Sequence, residues 1–94
     1  MDTETLKRAI ELDETIQKLE LEIVVLEKDR ESFLRRDIKE IEVSYKYDSG
    51  TELWPTKSFT FRPETKSYFI EMFTLMIKEI QRIQDELKKE FVGL

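Results

Sequence analysis

The chain has no cysteine and no histidine, and only two glycines, two prolines and one tryptophan among 94 residues. Without thiol or imidazole there is no disulfide framework, no zinc site of the Cys/His kind, no thiolate nucleophile and no imidazole acid/base pair. That removes most mechanisms open to a small enzyme, and no catalytic residue, metal or cofactor is expected. So few glycines and prolines leave little to interrupt regular structure. The longest apolar run is Ile23-Val24-Val25-Leu26, far short of the roughly 20 residues that span a bilayer. The opening MDTETLKRAIELDE lacks the cationic start and apolar core of a secretory signal, so a soluble protein of the cytosol is expected. Sixteen basic against 21 acidic residues leave a net charge of −5, the wrong sign for a protein that tracks phosphates by bulk electrostatics. Neither nucleic acid nor membrane is expected as a partner.

What is present is charge-rich amphipathic periodicity. Ala9, Leu12, Ile16, Leu19, Ile23, Leu26 and Phe33 recur at alternating spacings of three and four, with Arg30 at the one interrupted position. The spacing predicts a helix over about residues 3–36. Asp2 or Thr3 can cap its start, Arg35 and Arg36 suit its negative end, and Glu4/Arg8, Glu14/Lys18 and Glu31/Arg35 are acid-before-base pairs four apart. Leu19 to Val25 alternates like a strand, but the heptad continues on both sides without a breaker, and the longer period prevails.

After Asp37 the period changes to two. Ile41, Val43, Tyr45 and Tyr47 alternate with Glu42, Ser44 and Lys46, then Asp48-Ser49-Gly50 signals a turn, and Phe59 and Phe61 alternate again. Strands over about 39–47 and 57–62 are expected, paired antiparallel. Pro63 suits a helix start, and Phe69, Phe73, Met76, Ile80, Ile83 and Leu87 then repeat at heptad spacing, predicting a second helix over about 63–91. The reading is one α+β domain over residues 1–94: long helix, two-stranded hairpin, long helix.

A hairpin of about 20 Å is too short to cover helices of roughly 50 and 40 Å, so the helices must pair with each other. Leu6, Ile10, Leu21, Val24, Val25 and Leu34 lie off the main stripe and widen the apolar surface of the first helix beyond what one neighbour covers. An obligate homo-oligomer with a coiled-coil-like bundle is expected, its interface drawn from Ile16, Leu19, Ile23, Val24, Leu26, Phe33, Phe73, Met76, Ile80, Ile83 and Leu87.

Eight of the ten aromatic residues fall between Tyr45 and Phe73. Tyr45, Tyr47, Phe59 and Phe61 share a strand face that should pack on the helices, which leaves Trp54 unexplained. Beside it in sequence stand Lys57, Arg62 and Lys66, and the backbone N–H groups of Thr65, Lys66 and Ser67 are candidates for a free helix start. Cations, amides and a stacking ring together suit a small anionic, nucleotide-like ligand better than bare phosphate. The bland alternative is Trp54 plugging the core, Pro63 starting a helix and Arg62 paired with a surface Glu. Glu40 and Glu42, two apart, read as a solvated strand face rather than a paired-carboxylate site.

In size, charge-rich composition and expected oligomeric helix and hairpin build, the whole chain resembles small phage-encoded proteins that sequester nucleotide immune signals of their hosts. The resemblance is one of style and carries over no motif or binding residue. It implies a non-enzymatic protein that binds a signalling nucleotide where protomers meet. The helix, hairpin, helix order is also similar to that of the prefoldin beta-type subunit, from which the aromatic strands and the long Trp-containing loop depart. A structural or adaptor protein that recruits a protein partner through coiled-coil faces is the alternative function.

Overall fold

The computed structural model describes residues 2–94. Helix α1, Thr3–Arg35, leads to strand β1, Ile41–Lys46, and its antiparallel partner β2, Thr56–Phe61. A single 3-10 turn, Pro63–Thr65, then opens helix α2, Lys66–Val92. Element order and type are those the periodicity predicts, with strand ends shifted by one or two residues.

The two helices run antiparallel, as contacts along their length show. Arg8 pairs with Glu90 near one end, Gln84 reaches Ile16 and Glu20, Arg30 reaches Thr74, and Phe33 meets Phe69 and Phe73 at the other end. Leu12, Ile23 and Ile77 are buried, while Ile16, Leu19, Leu26, Phe33, Phe73, Ile80, Ile83 and Leu87 are half-buried. The heptad stripes expected to face other copies are therefore largely spent on pairing within one chain. Of the expected interface residues only Val24 and Met76 stay exposed. The reason is topological: the hairpin reverses the chain, so α2 reaches the α1 stripe before another molecule can.

Two polar side chains interrupt this seam. Gln84 is buried, and its amide donates to the Glu20 carboxylate at 2.9 Å and to the Ile16 carbonyl at 3.3 Å. Arg30 donates to the Thr74 hydroxyl at 3.2 Å. Both bonds require one alignment of the helices, since a slipped register would leave a buried amide unsatisfied.

The molecule is flat and extended, 55 × 38 × 14 Å. Its radius of gyration is 18.0 Å, against about 12 Å for a compact domain of this length. A thickness of 14 Å is that of one layer of helices. A hairpin continuing along the helix axis would bring the long dimension to roughly 70 Å, so it turns aside as an arm. Its root is aromatic: Phe61 packs edge-on against Phe69 with centroids 5.3 Å apart, and Phe69 lies 6.1 Å from Phe33. Ile41, paired with Phe61 across the sheet, is the fourth buried apolar side chain. The Lys66 ammonium donates to the Arg36 carbonyl at 2.9 Å and ties the two helix ends beside that root.

Asp2 caps α1, accepting from the Thr5 N–H at 2.7 Å. That bond holds the Asp2 carboxyl below its ordinary 3.8. A carboxyl whose pKa is lower folded than unfolded contributes its stabilisation fully above the unfolded value and loses it as pH falls through the folded one. The Thr5 amide resonance is expected to titrate with a midpoint below 3.8. A midpoint at or above that value would show that the cap does not hold the carboxylate.

Candidate functional site

The register Ile41↔Phe61, Val43↔Phe59, Tyr45↔Lys57 puts these six side chains on one face of the hairpin, because directly opposed residues share a face and alternate residues return to it. Along β1 exposure rises with distance from the helices, from buried Ile41 through half-buried Val43 to exposed Tyr45 and Tyr47, while Phe59 and, at the root, Phe61 are both exposed on β2. Tyr45 stacks on Phe59 with centroids 5.6 Å apart and planes 22° from parallel, and Tyr47 follows at 6.2 Å from Tyr45. The Lys57 ammonium sits over the Phe59 ring at 5.6 Å. Tyr45, Tyr47 and Phe59 were expected to pack on the helices. Only the root of the arm does so, since a single-layer molecule has no second layer beneath the rest.

The loop at the arm's far end is closed by its own hydrogen bonds. The Asp48 carboxylate accepts from the Gly50 N–H at 2.9 Å, the Ser49 hydroxyl bonds the Leu53 carbonyl and the Thr51 hydroxyl, and the Tyr47 N–H donates to the Pro55 carbonyl. Gly50 has φ +81°, a conformation that side chains disfavour. Trp54 leaves this loop 60% exposed. It plugs no core.

The residues expected to form an anion site are divided by the length of β2. Trp54 lies beyond its start and Arg62 beyond its end, roughly 20 Å apart at about 3.4 Å per residue; Lys57 stays with the distal, aromatic group. Arg62, Thr65, Lys66 and Ser67 do come together at the start of α2. Two of the three amides are already used: the Thr65 N–H donates to the Arg62 carbonyl at 3.1 Å and the Lys66 N–H to the Pro63 carbonyl. The Thr65 hydroxyl also donates to the Arg62 carbonyl, and the Lys66 ammonium is held by Arg36. A tight 3-10 turn after Pro63 consumes the donors that a plain helix start would leave open. Arg62 borders a groove of about 320 Å³ with Lys39, Glu40, Thr60, Phe61 and Pro63, so two cations and one carboxylate share it.

Among the described residues four groups have displaced pKa values, all at the surface and all pushed away from neutrality. The hydrogen bond from Thr5 lowers Asp2, and the one from Arg82 lowers Glu79. Glu90 raises Arg8, and Glu79 raises Arg82, which also pairs with Glu86. Among the described residues no group of three or more acidic side chains is placed to hold a metal ion, and no helix is long and apolar enough to cross a membrane.

Sequence reasoning named the apolar residues of a second feature but not the groove that they form. Leu21, Val25, Leu26, Met76 and Ile80, with Glu22, line a groove of about 360 Å³ between the helices. Leu21 is 66% exposed, and Met72 and Leu75 stand exposed further along α2. Leu21 and Val25 were legible as off-stripe positions and Leu26, Met76 and Ile80 as expected interface positions; that they line one groove was not, because Met76 and Ile80 also belong to the stripe that meets α1. Comparison with protein-family models, with curated proteins and with solved structures finds no match to this chain.

Proposed function

We propose that the chain is a non-enzymatic, homo-oligomeric binding protein with a structural or adaptor role: its helices assemble, and its hairpin arm presents an aromatic face to a protein partner. The observation that carries this reading is the separation of Trp54 from Arg62 by the length of β2, with Tyr45, Tyr47 and Phe59 exposed along the arm. A pocket for a nucleotide-like anion needs ring and cation on one wall; a docking arm needs an exposed aromatic face, which supplies large contact area for few frozen torsions. Sequestration of a small anion draws less support, because Trp54 stands apart from Arg62 and the Thr65 and Lys66 amides at the start of α2 are occupied.

Calorimetric titration with a panel of cyclic and linear nucleotides is expected to give no binding heat. A nucleotide that binds the wild type and loses roughly ten- to a hundredfold in affinity with Arg62→Ala, the worth of one charge-assisted hydrogen bond, would replace this reading with sequestration. In cells, cross-linking through the arm is expected to capture a protein partner that the double variant Tyr45→Ser/Phe59→Ser fails to capture while keeping the wild-type assembly mass. Equal capture by both would remove the arm from the proposal.

A further inference from the structure

Resting on the homo-oligomeric reading above, we infer that the groove lined by Leu21, Val25, Leu26, Met76 and Ile80 is the contact between copies, occupied by the same face of a second chain about a two-fold axis. The paired helices form a layer with unlike faces. At about 100° per residue, Leu26, Glu22 and Val25 turn to the same side of the seam as Met76, Met72 and Ile83, whereas Glu20, Glu27, Gln81 and Lys88 turn to the other. These residues form an apolar patch on one side of the layer with the groove at its centre, bounded on that side by Lys18 and Asp29 of α1 and Glu79 of α2, while Leu6 and Val24 lie exposed on the other side.

Surface area says how large a cover the chain lacks. It exposes 7770 Å², whereas a compact monomer of its mass exposes about 5,800 Å². The excess of about 2,000 Å² is shared between the flat helical layer and the hairpin arm, and leaves area of the order of the roughly 1,000–2,500 Å² that each copy buries in an obligate homodimer. Among the described residues only four apolar side chains are buried, so the cover must be present whenever the chain is, and a second copy meets that condition without any other species.

The charge pattern agrees. Glu22 is the one ionisable residue lining the groove, so a charged partner finds no set of opposite charges to pair with. An apolar face is complementary to itself, which suits an isologous contact.

Val25 and Met76 are exposed, so Val25→Glu/Met76→Glu replaces none of the buried side chains, although Met76 borders the seam. Light scattering after gel filtration is expected to give a multiple of the 11.4 kDa chain mass for the wild type, the single-chain mass for the double variant, and the wild-type mass for Gln81→Glu on the opposite face. A wild type at the single-chain mass would overturn the homo-oligomeric reading and this inference together; an oligomeric wild type with an equally oligomeric double variant would overturn only the inference. Should the double variant unfold, the absence of native cysteine permits single spin labels at the exposed Val25→Cys and Gln81→Cys. The inference expects the shorter inter-chain distance from Val25→Cys, and the shorter one from Gln81→Cys would overturn it.

Discussion

Ile23→Asp is expected to abolish the cooperative thermal melt at neutral pH, whereas Ile23→Val lowers it only slightly. Ile23 is 5% exposed and one of four buried apolar side chains. Losing its transfer free energy costs about 2–3 kcal/mol, and a carboxylate without a partner in the same place costs several kcal/mol more. A small domain has only about 5–15 kcal/mol in total, and one with so few buried side chains sits at the low end. Ile23→Val removes a single methylene, for about 0.5–1.5 kcal/mol. The buried Asp would have a folded pKa raised above its unfolded value, so its charge penalty acts above the unfolded value and eases as pH falls below it. Far-UV circular dichroism melts at neutral and acid pH measure both effects. A neutral-pH midpoint for Ile23→Asp within a few degrees of wild type would mean that this side chain does not sit in the α1/α2 seam.

The fold was legible because its signals are local and repeated. The period changes from heptad to two at Asp37 and back after Pro63, and the Asp2 cap and the turn at Gly50 stand where turn chemistry puts them. Charge pairing was legible only in part. Glu31 does meet Arg35, but Arg8 turns to Glu11 and across the seam to Glu90 rather than to Glu4, and Arg82 engages Glu79 and Glu86. Among the described residues no ion pair joins Glu14 to Lys18. Exposed pairs differ by fractions of a kcal/mol, so any neighbour in reach can win.

The candidate anion site failed for a different reason. Trp54 and Arg62 are eight positions apart in sequence, but the intervening strand is extended, so nearness in sequence became distance in space. Gln84 was passed over because it adjoins Ile83 on the stripe, where only the Glu20 carboxylate and the Ile16 carbonyl of α1 make a buried amide tolerable. Which neighbour covers which stripe depends on contacts between distant segments, and periodicity reports only that a stripe exists.

Phe69→Ala is expected to release the arm while sparing the far end of the helical pair. The Phe69 ring touches Phe33 of α1 and Phe61 of β2, so it joins three elements at one point. Truncating a half-buried Phe costs about 3 kcal/mol, the lower end for such changes, and here the loss falls on the arm's main attachment. A two-stranded hairpin has marginal stability by itself in water, so once detached it should exchange its amides almost as fast as unfolded chain. Hydrogen exchange is expected to show protection lost over residues 41–46 and 56–61 and retained around Ile16 and Gln84, which are pinned by their own hydrogen bond. Tyr45→Ala, whose ring stacks only within the arm and the loop beside it, should reduce protection locally and leave Ile41 protected. Unchanged exchange of β1 and β2 in Phe69→Ala would show that the aromatic root does not anchor the arm, and would leave Ile41 and the Lys66 bond to Arg36 as its attachment.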